Sequence, residues 1–374
     1  MSARPAVTAI PQPSSLQALP TLDGRWSYVR VENPGDLPAA DERTLDIAVL
    51  DMNHGWPNLG HGSLVYDVWN ASRELFAAQA GLSVRVISFD VRRGLMVPEA
   101  GERYALFLGT GGPGHIDPRF NDGESYESQG VREDPSWEAP LFRLFDAVRA
   151  NWEERDQALL AVCHTFGVLC RWSGVARPVL RDARKGGKSS GILENELTPE
   201  AGTHPWFARF AEQLVHGRLL ITDTRLFDLL PEPGFSRRGL PIGYDVEPES
   251  GQRGSALTMF EFARDREGTM PRIFAVNHHP EVVDRAAQRI ILQRMVDAGE
   301  VTEDWASERR TLMTPLLPDD DRRLRLTSSF TLLGPLRFHL HRQARRRAEA
   351  LGLPTMVHED EIVNLELVGP GGGG

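Results

Sequence analysis

Ala158-Leu-Leu-Ala-Val-Cys163-His-Thr-Phe-Gly167-Val-Leu-Cys170 is the stretch from which the rest of this chain can be read. Five apolar residues in a row fit a strand buried on both faces, and the residues after Cys163 place apolar side chains at helical spacing. Cys163 therefore stands where a strand ends and a helix begins. Exposed amides at a helix N-terminus favour a thiolate, so a cysteine on such an elbow is a candidate nucleophile. Cys170, seven residues on in the same apolar stretch, fits a small buried hydrophobe.

Working outward, the same texture repeats. Leu45 to Leu50, Ser83 to Phe89 and Tyr104 to Leu108 read as strands, and Leu64 to Gln79 has helical periodicity. Further strands are expected at Arg218–Thr222, Ile242–Val246, Ala256–Phe262 and Ile273–Val276, before a helix at about Val283 to Asp297. Apolar strands alternating with amphipathic helices predict a doubly wound α/β fold, a mostly parallel sheet with helices on both faces. In such sheets chemistry gathers at the carboxyl ends of the strands. Residues 1–43, rich in Pro, Ser and Ala, read as a flexible leader that Trp26 to Val31 pins to the body. Residues 44–298 form the α/β domain, and 299–374 an Arg-rich helical extension ending in a Gly tail.

Composition narrows the function. The 374 residues carry 42 Lys+Arg against 52 Asp+Glu, a formal charge of −10, so the overall field repels nucleic acid and anionic membrane. Two cysteines supply neither a disulfide framework nor a CxxC pair, and no apolar run is long enough to span a bilayer. Met1-Ser-Ala-Arg-Pro5 has no apolar stretch behind its arginine, so a cytoplasmic protein is expected.

Two other strand ends stop at chemistry. Leu108-Gly-Thr-Gly-Gly-Pro-Gly114 is either a tight turn or a loop whose bare N–H groups approach a developing oxyanion. Ile273-Phe-Ala-Val-Asn-His278-His279-Pro280-Glu281 ends in adjacent histidines, which on a strand point to opposite faces and make a poor metal site. His279 with Glu281 is the better pair, because a carboxylate can fix the imidazole tautomer and stabilise its charge. No metal and no cofactor is expected.

In this order and spacing, Cys163, His279-Pro-Glu281 and Gly111-Gly-Pro-Gly114 resemble the class I glutamine amidotransferase family over roughly residues 45–295. Leu219 to Pro231 resembles that family's segment before its late strands. The resemblance implies a flavodoxin-like fold and a Cys163, His279, Glu281 triad acting on a small amide, glutamine in the family, through a cysteinyl thioester. It implies oxyanion donors around Gly111, Gly112 and His164, and a substrate region at Gly167, Thr222 and Asp223. With no synthetase domain or phosphate-binding loop in the chain, any ammonia acceptor would be a separate enzyme.

The sequence also departs from the family. The usual G-x-C-x-G-H-Q elbow reads Ala161-Val-Cys163-His-Thr165-Phe-Gly167, so both flanking glycines are larger and the substrate-holding Gln is a Gly. Asp223 would repel an α-carboxylate or favour a free amine. The polar, aromatic loop Asp51 to Gly62 either lines the site mouth or simply packs Trp56. A γ-glutamyl hydrolase-like amide hydrolase, and a catalytically silent binding protein that keeps the fold, therefore stand beside the glutaminase reading.

Overall fold

The computed structural model describes residues 16–17, 19–151, 154–181, 187–312 and 316–354. Its strands, in chain order, are β1 (Trp26–Val31), β2 (Thr44–Asp51), β3 (Ser83–Asp90), β4 (Tyr104–Gly109), β5 (Ala158–Val162), β6 (Ala176–Leu180), β7 (Ser189–Leu197), β8 (Arg218–Arg225), β9 (Phe227–Pro231), β10 (Leu240–Val246), β11 (Arg253–Arg264) and β12 (Pro271–Val276). The α-helices are α1 (Leu59–Ala78), α2 (Glu138–Ala150), α3 (His164–Ser173), α4 (Ala208–Ala211), α5 (Arg285–Asp297), α6 (Glu303–Leu312), α7 (Pro318–Ser328) and α8 (Gly334–Ala350).

One large sheet runs β1-β3-β2-β4-β5-β12-β11-β10-β7-β8. From β1 to β12 every neighbouring pair is parallel, and from β12 onward every pair is antiparallel. The parallel strands need both faces covered, since they are apolar on both. On one face, Val65 and Val68 of α1 and Leu336 and Leu340 of α8 pack with Ile47, Val49 and Leu160. On the other, Leu141 and Phe145 of α2 and Phe166 and Leu169 of α3 pack with Leu50, Phe107 and Leu159. The small antiparallel pair β6–β9 extends that second layer. This is the doubly wound α/β fold that the alternating pattern predicts. The chain turns one way from β2 to β3 and the other way from β4 to β5, so a crevice opens at the carboxyl ends near β4. No helix among the described residues is long and apolar enough to cross a membrane.

The expected boundaries need two corrections. Trp26–Val31 does more than pin a leader: it is the edge strand of the main sheet, pairing in register with Val84–Phe89, and Trp26, Tyr28 and Val31 are buried. Leu16 and Leu19 join the same core, while residues 1–15 lie outside the described residues. An edge strand needs only one partner, which is why it can emerge from a Pro-rich stretch.

The Arg-rich extension is likewise part of the domain, because α8 lies across β4, β5 and β12. Its arginines act as staples rather than as a free anion-binding patch. Arg342 meets Asp156 at 2.9 Å and Asp265 at 3.2 Å, Arg337 meets Glu74 at 3.0 Å, and Arg346 donates to the carbonyls of Glu154 and Arg155. The Gly tail lies outside the described residues. Truncating the fully buried Leu340 to Ala should cost about 2–5 kcal/mol in denaturant unfolding, with one cooperative transition for the whole chain. Separate unfolding of the 299–354 segment would contradict this.

Candidate active site

Cys163 sits between β5 and α3 with φ 48° and ψ −102°, a conformation in which a β-carbon is strained. Its N–H donates to Val276 O at 2.7 Å, which ties the elbow to the end of β12. Two residues on, the Thr165 hydroxyl and N–H both donate to Thr110 O, at 2.7 and 3.3 Å, which ties it to the end of β4. Three strand ends thus converge on one residue.

The residues flanking the elbow, Ala161 and Thr165, are both larger than glycine, and the neighbouring strand supplies the room. A β-carbon at Gly109 would stand 2.3 Å from Thr165 Cγ2, so Thr165 is accommodated by a bare backbone on β4, where Gly109 is the register partner of Ala161.

The triad candidates come together. His279 N–H donates to Thr222 O at 2.8 Å, and its Nδ1 donates to Glu281 Oε1 at 2.8 Å, which leaves Nε2 as the nitrogen free to exchange a proton. Nε2 is buried with no hydrogen-bond partner among the described residues. Burial disfavours a charged ring, but the Glu281 carboxylate and the Cys163 sulfur beside it hold the His279 pKa well above the ordinary histidine range. A β-carbon at Gly111 would lie 3.0 Å from His279 Cε1 and 3.6 Å from Cys163 Cβ, so Gly111 is the floor over which the two face each other.

The oxyanion candidates are also adjacent. The N–H groups of Gly112 and His164 donate to nothing among the described residues. A β-carbon at Gly112 would come within 2.2 Å of Met52 O, which fixes glycine there. The His164 ring turns inward; burial first, then the nearby Arg92, keeps it neutral by lowering its pKa well below the usual value.

Arg92 itself is a tie that sequence reading misses. Fully buried, it donates to Met52 O at 2.8 Å and Pro113 O at 2.7 Å while its other nitrogens reach Glu133 at 2.5 and 2.7 Å. It clamps the loop after β2 to the Gly loop after β4. No local signal marks it, because its partners lie 21 to 41 residues away.

Three sequence-predicted substrate residues do not face the site. Gly167 lies beneath Ile116, whose Cδ1 would be 2.4 Å from a β-carbon there, so packing fills the space a side chain at this position would need. Asp223 is buried, accepting from Ser189 Oγ at 2.6 Å and lying 3.6 Å from Arg225. Thr222 contributes only its carbonyl, to His279. In β8, Thr224 and Arg225, further toward the strand's carboxyl end, line the cleft instead. Trp56, Pro57 and Asn58 form its other wall, so the loop after β2 does line the mouth. The cleft holds ≈ 320 Å³ above Cys163 and His279.

No protein-family model matches the chain, and no curated protein does. Among solved structures it is similar to the glutaminase domain of CTPS from Trypanosoma brucei with acivicin bound, at 11% identity over 70% of this chain and 96% of that one, with a TM-score of 0.42. A protein assigned to GMP synthase, as one of its subunits, from Thermoplasma acidophilum gives 13% identity over 72% and 96%, TM-score 0.37. A protein assigned as ThuA-like from Bacteroides uniformis gives 8% over 70% and 93%, TM-score 0.33. Likeness this distant assigns no family, so the chemistry must follow from the residues of this chain.

The Gly109 and Thr165 fit makes a direct prediction. Gly109→Ala should destabilise the protein by about 1–3 kcal/mol through overpacking. Adding Thr165→Gly should restore part of that loss, giving a favourable coupling of about 1 kcal/mol in a double-mutant cycle. Additive effects would show that the two residues do not press on each other.

Proposed function

We propose that the protein is an amide hydrolase with a cysteine nucleophile, of the glutamine amidotransferase type. The observation that carries this is the convergence of a strained Cys163 elbow, a buried His279–Glu281 pair and two N–H groups without partners among the described residues, at three neighbouring strand ends.

In the proposed reaction the Cys163 sulfur bonds to the amide carbon and the carbonyl oxygen takes negative charge, which the N–H groups of Gly112 and His164 meet. The charged His279 gives its Nε2 proton to the departing nitrogen, the C–N bond breaks, and ammonia leaves a thioester on Cys163. Water then adds to that carbon as His279 takes its proton. Collapse breaks the C–S bond and releases a carboxylic acid, leaving the sulfur and His279 ready for another cycle. Glu281 holds Nδ1 and favours the charged ring; it does not touch the substrate. Ile116 over Gly167 favours an amide other than glutamine, or glutamine held in a different manner.

Two measurements test the proposal. Diazo-oxo-norleucine should leave an adduct on Cys163, and ammonia release from a panel of primary amides that includes glutamine should vanish in Cys163→Ala. Full ammonia release by that variant would sink the nucleophile. The second is a pH profile. Because the His279 pKa is raised, the proton donor persists to higher pH than in an ordinary histidine, and kcat/KM is lost only as pH rises through that raised value. Glu281→Gln removes the main stabilising charge, so the alkaline limb should move to lower pH by about one unit or more. An unmoved limb would remove Glu281 from its role.

A further inference from the structure

Hydrogen-bonding groups in the cleft above Cys163 are unequally matched. Beside the N–H groups of Gly112 and His164 and His279 Nε2, two further side-chain donors lack partners among the described residues, while the side-chain oxygens of Asn58 and Gln129 are taken. Asn277, 3% exposed and adjoining the triad strand, carries an Nδ2 that donates to nothing among them. Lys188 stands exposed at the rim with no described carboxylate in ion-pair reach. Against these, Asn58 Oδ1 accepts from the N–H groups of Gly60 and His61 at 2.7 and 3.3 Å, and Gln129 Oε1 accepts from Gly114 N–H at 3.0 Å. No Asp or Glu is among the described lining residues. Behind the lining, Glu281 is held by His279 Nδ1, and Asp223, Asp228 and Asp245 lie 3.6, 3.2 and 3.3 Å from the buried Arg225.

Such a lining discriminates between ligands. A carboxylate entering it gains donors and a cation, whereas an ammonium group loses its water and finds no counter-charge, which costs free energy. Glutamine carries both groups. We propose that the site takes a primary amide whose far end is a carboxylate and which bears no ammonium group, a monoamide of a dicarboxylic acid. Lys188 meets the carboxylate at the rim, and Asn277 Nδ2 donates to the ligand further in. The proposal rests on Cys163 being the nucleophile, and it names what that nucleophile is shown.

Alkylation of Cys163, followed by mass, tests selection without requiring turnover. Iodoacetate carries a carboxylate and iodoacetamide does not. The ratio of the iodoacetate rate to the iodoacetamide rate at Cys163 should fall about fivefold in Lys188→Met, or when salt screens the rim. Glutaric acid monoamide should protect Cys163 at lower concentration than either glutamine or pentanamide. A ratio unmoved by Lys188→Met, or protection by glutamine at equal or lower concentration, overturns the proposal while leaving the nucleophile in place. If neither reagent labels Cys163 faster than the buried Cys170, the nucleophile fails and this inference falls with it, a result plainly different from the other two.

Discussion

A cysteine held in a backbone conformation that costs about 1–3 kcal/mol is the constraint around which this structure is organised. That conformation persists because its neighbours over-determine it. The Cys163 N–H is committed to Val276, and Thr165 is committed twice to Thr110, so relaxing the elbow would break bonds to strands on both sides at once. Those strands in turn carry His279 and the Gly loop. The same hydrogen bonds that hold the strained elbow therefore set the spacing of the Cys163 sulfur, the His279 ring and the N–H groups of Gly112 and His164, and Arg92 prevents the loop side of the cleft from drifting.

Electrostatics within this small volume is graded by partners more than by depth. His164, His278 and His279 are all buried. His164 has no described carboxylate beside it and stays neutral, and His278, with Thr331 Oγ1 at 3.4 Å, is driven down to about 3 by burial and by its charged neighbour. His279 has a carboxylate at 2.8 Å, and of the three it alone is raised. Adjacent residues on one chain segment thus carry opposite tendencies, because alternation across the strand end sends one ring toward Thr331 and the other toward Glu281.

Much of this is legible in the sequence where the signal is local. Unbroken apolar runs give β2 through β5 nearly to the residue, and Cys163 declares itself by standing at the end of one. What escapes is whatever depends on pairs distant in the chain. Thr165 looks like a defect until Gly109 is set opposite it, and Gly167 looks like a lost ligand until Ile116 is found filling its place. Asp223 misleads because its carboxylate is engaged by Ser189, 34 residues back in the chain, a pairing no local pattern shows. Trp26–Val31 reads as a pin for a leader rather than as a strand because a single-partner edge strand carries a weaker pattern than a central one, and no local signal says which carboxylates and carbonyls the α8 arginines reach.

The position of α8 also bears on how the molecule is made. It lies over β4, β5 and β12, the strands whose ends form the site, yet it is supplied from residues 334–350, long after those strands in chain order. A growing chain therefore holds Cys163, His279 and the Gly loop while one face of the strands beneath them is still bare. Contacts of such long sequence separation form slowly, and the apolar face is open to wrong partners until they do. A chain that stops short of this helix leaves that face of the sheet uncovered and prone to aggregation, and only a chain that includes it can bury the face.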